Sequence, residues 1–210
     1  MRIFASTPLH VGEEELARRQ ARYDRIAPAG VSVELHDLPV GAPRSLESEQ
    51  DMRTSESYVI EALSAVPDGY DAVFADCVLD PGISTLQQKL SIPAIGILRT
   101  NLSHERALGR TTAAVVRNPA IAAEMQAVAA ECGLSDVLVD VRILDIDFDA
   151  VADGDRWQAA LQPAARDAAA GGARMLLNGC SAVETLDSGL PITVYDPVAR
   201  ALRLVAAGQL

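Results

Sequence analysis

The chain has 210 residues, 49% hydrophobic and 22% charged, enough apolar material for one moderate domain or two small lobes. Aromatics are only 4%, so Ala, Val, Leu and Ile supply the core. Eighteen basic against 29 acidic residues give a formal net charge of -11, which argues against a nucleic-acid surface, because phosphate binding needs a basic patch.

The opening residues MRIFASTPLHVGEEE read as no signal peptide, since acids follow a very short apolar run at once. No stretch approaches the roughly 20 apolar residues that span a bilayer. The expectation is a soluble, cytoplasmic protein without membrane partners. Three cysteines, Cys77, Cys132 and Cys180, form no CxxC pair, and His10, His36 and His104 are scattered, so neither a disulfide framework nor a zinc site is expected. Neither GxGxxG nor GxxxxGK[ST] occurs, which removes the main support for nucleotide cofactors.

In chain order, residues 2–5 read as a strand that emerges at Ser6-Thr7-Pro8. Residues 13–26 read as a helix with acids first and arginines later, matching the macrodipole. Residues 31–38 alternate as a strand, 46–66 read mainly as helix, and 72–75 form a strand running into Asp76-Cys77. Asp80-Pro81 looks like an N-cap with proline at the first helical position. Strands follow at 94–98 and 112–116, and Asn118-Pro119 repeats the cap signal before a helix to Cys132 and Gly133. A strand at 137–143, a helix at 155–170, strands at 174–177 and 192–195, and a helix at 197–207 complete the pattern.

Alternating strands and helices imply βαβ units and parallel sheets. Ligands then bind beyond the carboxyl ends of the strands. The residues to inspect are Ser6, Thr7, Cys77, Val78, Thr100, Arg117, Asn118, Cys180, Ser181 and Ala182. A weak internal repeat joins two of them. Gly69 to Cys77 and Gly172 to Cys180 each run glycine, apolar strand, polar or small residue, cysteine, with the same offset. Each cysteine precedes a helix start and then an Ile-Pro or Leu-Pro strand, Ile92-Pro93 and Leu190-Pro191. Cys132, at the end of an Ala-rich helix, is given no role.

Two thiols confronting one another suit proton transfer on opposite faces of one carbon. A thiolate removes a proton next to a carbonyl, and the other thiol returns one from the far side. Helix starts after each cysteine supply N–H groups that favour thiolate and hold a developing oxyanion. Asp76 and Asp80 oppose thiolate formation by charge, or else orient or deprotonate Cys77.

At these residues the sequence resembles the aspartate/glutamate/hydantoin racemase superfamily, and most closely its hydantoin racemase branch. Asp76-Cys77-Val78-Leu79-Asp80-Pro81-Gly82 resembles the first cysteine motif, and Asn178-Gly179-Cys180-Ser181-Ala182 the second. Gly41 to Glu47, Ile92 to Ile97 and Leu190 to Pro197 resemble further segments along the chain. The resemblance implies an α/β fold of two pseudo-symmetric lobes, each a parallel sheet flanked by helices, with the active site in the cleft between them. It implies a first lobe of residues 1–98 plus 193–210 and a second of 99–192. It also implies Cys77 and Cys180 as acid and base, and the amides of Val78, Ser181 and Ala182 as holders of a carboxylate or ring carbonyl. No cofactor, a small-molecule substrate with a carboxylate or imide carbonyl, and a homo-oligomer complete the expectation. Ser6-Thr7-Pro8, Arg117-Asn118 and Glu184 depart from the family pattern. Ser6 and Thr7 are expected to hydrogen-bond substrate, and Arg117 with Asn118 to meet an anionic group.

The leading expectation is a cofactor-independent racemase or epimerase acting on a hydantoin- or allantoin-like ring. An acidic or ureido amino acid is the second substrate class. Maleate isomerisation or decarboxylation, and a non-catalytic binding module, are the alternatives.

Overall fold

The computed structural model describes residues 1–151, 153–184 and 189–208. The chain forms two compact units, one of Met1–Ile97 with the chain from Ala201 onward, the other of Leu98–Arg200. Each is built on a four-stranded, wholly parallel sheet with helices packed against it.

The first unit holds β1 (Arg2–Ser6), α1 (Glu13–Ile26), β2 (Ser32–His36), α2 (Glu49–Ser64), β3 (Ala72–Ala75), α3 (Ile83–Lys89) and β4 (Ala94–Ile95). Its strand order is β2-β1-β3-β4. Burial follows place in the sheet. The central strand β3 is buried at every position, because helices cover both faces, while edge strand β2 alternates between buried and exposed. Ile3, Ala5, Val33, Leu35 and Phe74 lie in the resulting core.

The second unit holds α4 (Ile97–Ala107) from Leu98 onward, β5 (Thr112–Val116), α5 (Pro119–Glu131), β6 (Leu138–Ile143), a 3-10 turn at Phe148–Val151, α6 (Gly154–Ala170), β7 (Met175–Asn178), β8 (Thr193–Tyr195) and the start of α7 (Pro197–Ala206), up to Arg200. Helices α4 and α7 also carry the chain from one unit to the other. The strand order β6-β5-β7-β8 is that of the first sheet with every strand replaced by its counterpart. Ala113, Val115, Leu161, Ala165, Leu176 and Val194 pack together as its core. The positional repeat is therefore a repeat of topology, and Gly69 (φ 95) and Gly172 (φ 86) both turn the chain in the left-handed region before β3 and β7.

Several expectations are corrected. The last strand, expected in the first lobe, pairs in parallel with β7 and belongs to the second sheet. The expected strand at 94–98 is cut to two residues, and Ile97 begins α4, whose buried Ile97, Leu98, Asn101, Leu102 and Glu105 follow helical spacing. Asp80-Pro81 does not cap a helix. Asp80 has φ 52, Gly82 follows at φ 69, and α3 starts only at Ile83. The turn is fixed by Gly82, where an added Cβ would stand 2.3 Å from Ile60 of α2. The helix α2 starts at Glu49 rather than at residue 46, with Ser48 capping it in a reciprocal capping box with Asp51. Among the described residues no helix is long and apolar enough to cross a membrane.

Candidate functional site

In both sheets the chain winds one way from the first strand to the second and then returns to the first strand's other side. The switch lies between β1 and β3, and between β5 and β7. At such a point the connecting loops diverge and leave a crevice beyond the carboxyl ends. Register brings the candidate residues to these two points. Ser6 pairs with Ala75, and the Asp76 amide extends the ladder by donating to Ser6 O at 2.8 Å. Val115 pairs with Asn178, and the Gly179 amide donates to Val115 O at 2.8 Å. Positions 76 and 179 are thus equivalent, and each is followed by a cysteine.

In the first unit, Cys77 is 8% exposed, and its amide donates to Ala75 O at 2.7 Å in a tight turn off the strand. Val78 and Asp80 are also buried, and the Asp80 amide closes back on Cys77 O at 3.4 Å. The expected helix start beside Cys77 is absent, since α3 is a seven-residue helix that begins beyond Gly82. The amides of the turn itself stand nearer Cys77 in the chain than those of α3. Asp76 is buried, and both its carboxylate oxygens are engaged from α1, Oδ2 by Arg19 Nη1 at 3.0 Å and Oδ1 by the Tyr23 hydroxyl at 2.6 Å. Burial, then the charge of Asp76, pushes the Tyr23 hydroxyl well above its usual range, so it stays a donor.

Ser6 and Thr7 are wholly buried. The Thr7 hydroxyl shares its one proton between Leu9 O at 2.7 Å and Asp37 Oδ1 at 3.0 Å, and accepts from the Leu38 amide at 3.2 Å. Asp37 in turn accepts the amides of Val11 and Gly12, so Thr7 braces the loop that leads into α1. Ser6 Oγ is buried with no hydrogen-bond partner among the described residues.

In the second unit, Cys180 is partly exposed, with Ser181 and Ala182 buried behind it. Asn178, at the end of β7, ties the turn together: its Nδ2 donates to Cys180 O at 3.2 Å and to Val183 O at 2.9 Å. Gly179 is obligatory, because an added Cβ would lie 2.2 Å from Val115 O. The helix start expected directly after Cys180 is not present at 181–184, which form a turn, and 185–188 lie outside the described residues. Glu184 is exposed. Arg117, just past β5, is 6% exposed with its guanidinium 5.6 Å from the centre of the Phe148 ring. Asn118 caps α5, its Oδ1 accepting from the Ile121 amide at 2.9 Å. Thr100 lies inside α4 rather than beyond a strand.

Sequence reasoning quoted Asn178 only as part of a motif and missed Arg19 and Tyr23 as neighbours of Asp76. The signal for the last two is faint: an arginine and a tyrosine one turn apart on a helix rich in charged residues.

A tandem pair of parallel α/β sheets, each with a thiol one turn past its third strand, defines a class of proteins suited to chemistry at strand ends. More narrowly, the model of the Asp/Glu/hydantoin racemase family matches residues 14–205, and the chain belongs to that family. Among solved structures, the chain is similar to allantoin racemase from Klebsiella pneumoniae, at 22% identity and a TM-score of 0.82, covering 99% of this chain and 89% of that one. It is similar to allantoin racemase from Pseudomonas fluorescens at 20% identity and a TM-score of 0.85, covering 99% and 92%. Arylmalonate decarboxylase shares the fold at 19% identity and a TM-score of 0.61, covering 99% and 94%. No curated protein matches the sequence.

Proposed function

We propose that the protein is a cofactor-independent racemase or epimerase of an allantoin- or hydantoin-like ring, with Cys77 and Cys180 as its acid and base. One observation carries the reading. The two thiols occupy equivalent places at the switch points of two topologically identical sheets. Family membership and the likeness to two allantoin racemases support it.

In the forward direction one cysteine, as thiolate, takes the proton from the carbon next to the carbonyl. The electron pair of that C–H bond moves into the carbonyl as an enolate. The other cysteine, as thiol, gives its proton to the opposite face and is left as thiolate. Configuration inverts, nothing is oxidised or reduced, and the reverse reaction uses the exchanged protonation states. A free thiol titrates near ~8.5, so proton transfer needs an environment that makes thiolate accessible near neutral pH. Amides of Val78, Ser181 and Ala182 hold the substrate's carbonyl or carboxylate oxygen as charge develops on it. Asn118 spends its side-chain oxygen on capping α5, so its contribution is to fix Arg117 at the strand end.

A second substrate class is favoured by one residue. Arg117 is a buried cation just past the end of β5, the strand next to β7, which suits an acidic or ureido amino acid whose carboxylate it pairs with.

Polarimetry in deuterated buffer against allantoin, 5-substituted hydantoins and acidic amino acids tests the reading. Rotation should decay with one deuterium entering the carbon next to the carbonyl. Cys77→Ser and Cys180→Ser should each lose about 10²–10⁴-fold in turnover of both enantiomers. Decay without deuterium, or full activity in either variant, sinks the two-thiol scheme. Carbon dioxide release would identify a decarboxylase, and ligand binding indifferent to both substitutions a binding module.

A further inference from the structure

The two cysteine turns are anchored by unlike chemistry. Asn178 braces the Cys180 turn through a neutral amide. The anchor in the first unit stands one position nearer its cysteine and is ionic, and the sequence alone leaves its meaning open between orienting and deprotonating Cys77. We propose that Asp76, gripped by Arg19 and Tyr23 of α1, is the positioning residue of the Cys77 turn, its carboxylate serving as an anchor and not as the base for the thiol. This rests on the reading of Cys77 as an acid/base group.

Three observations carry the assignment. First, one carboxylate oxygen accepts from Arg19 at 3.0 Å and the other from Tyr23 at 2.6 Å, so the carboxylate is oriented toward α1 by charge-assisted bonds. Second, the Asp76 amide is simultaneously locked to Ser6 O at 2.8 Å, so side chain and backbone are both fixed, with Cys77 the next residue. Third, the cluster is buried and internally balanced. Arg19 also binds Glu15 through Nε at 2.7 Å, and Tyr23 tilts against Phe74 of β3 at 5.7 Å between ring centres. Both carboxylate oxygens already accept hydrogen bonds from α1, which orients the group as an anchor for the turn.

The charged and titratable groups around the turn are Glu15, Arg19, Arg22 and Tyr23 from α1, Asp76 and Asp80 in the turn, and Glu56 from α2, which accepts the Gly82 amide at 3.1 Å. Removing Asp76's charge leaves the α1 arginines in excess and favours thiolate at Cys77. Removing Arg19's charge does the opposite. A base role for Asp76 predicts the reverse sign for its removal.

The test uses the full chain carrying Cys132→Ser and Cys180→Ser, which leaves Cys77 as the one cysteine of three. The rate of Cys77 alkylation by iodoacetamide is followed against pH by peptide mass spectrometry. Asp76→Asn should move the midpoint down by about one pH unit, and Arg19→Gln should move it up by a similar amount. Tyr23→Phe changes no charge, so it should leave the midpoint near that of the parent. In the three-cysteine chain it should lower kcat about tenfold with KM little changed, as a misplaced turn does. An upward shift for Asp76→Asn, or no shift in either charge variant, overturns the clamp. Arg19→Gln carries the test alone if Asp76→Asn does not fold. Full racemisation by Cys77→Ser would instead overturn the two-cysteine reading, while the alkylation profile still decides the clamp.

Discussion

Gly179 shows how much one residue can decide. Its amide continues the β5–β7 ladder, and the space where a Cβ would go is filled by the Val115 carbonyl. Backbone cannot retreat as a flexible side chain can, so Gly179→Ala must displace β5 or the Cys180 turn. The expected cost is about 1–3 kcal/mol, as for other overpacked sites, read as a lower urea midpoint. Under the proposed function turnover should fall with it, because Cys180 is the next residue. A midpoint equal to wild type would show that the turn yields freely. Thr7 illustrates the opposite lesson. Its hydroxyl looks like a substrate donor in sequence, yet it braces the loop between β1 and α1 through Leu9, Asp37 and Leu38. A strand-end position tells where a residue is, not what its side chain is already bound to.

Among elements, α1 has the same bounds in sequence and structure, as do β3 and β5, because acids, arginines and short apolar runs mark their ends locally. The cap of α5 was equally legible from Asn118-Pro119. Misreadings arose where one local signal had two meanings. Asp80-Pro81 has the composition of a cap, but a left-handed Asp80 and Gly82 make it a turn. Ile95 to Leu98 is a continuous apolar run, which strand and buried helix share. The partner of β8 has no local signal at all, since pairing is set by the whole sheet. The contacts of α1 with Asp76 span 53 and 57 positions, beyond any periodicity argument.

The same helix contact sets a pH limit on the first unit. The folded state holds Tyr23's proton more tightly than the unfolded chain, whose tyrosine titrates near 10.0. A raised value in the folded state means the contribution is fully present below pH 10.0 and is lost as pH climbs from there toward the folded value. Urea midpoints measured from pH 8 to 11 should fall more steeply for the wild type than for Tyr23→Phe. Parallel slopes would show that the hydroxyl is not held in the folded state.

For the whole molecule, the net charge of -11 acts on stability through self-repulsion. Raising sodium chloride from 10 to 500 mM shortens the screening length from about 30 Å to below 8 Å. The Tm should therefore rise, although the exposed pairs Arg18–Glu15 and Arg156–Asp147 lose some attraction. A Tm that falls with salt would mean that attractive pairs outweigh the excess of carboxylates. The legible part at this scale was the α/β class and the repetition of one unit. The lobe that receives the final strand was not, because two copies of one topology offer that strand two similar edges.

The bare backbone at position 179 has a corollary. Position 76 carries an acidic anchor, whereas its counterpart accepts a side chain only by displacing a neighbouring strand or turn. Any side chain there collides with a neighbouring main-chain oxygen. An acidic anchor of the first unit's kind at position 179 would first need β5 to move aside.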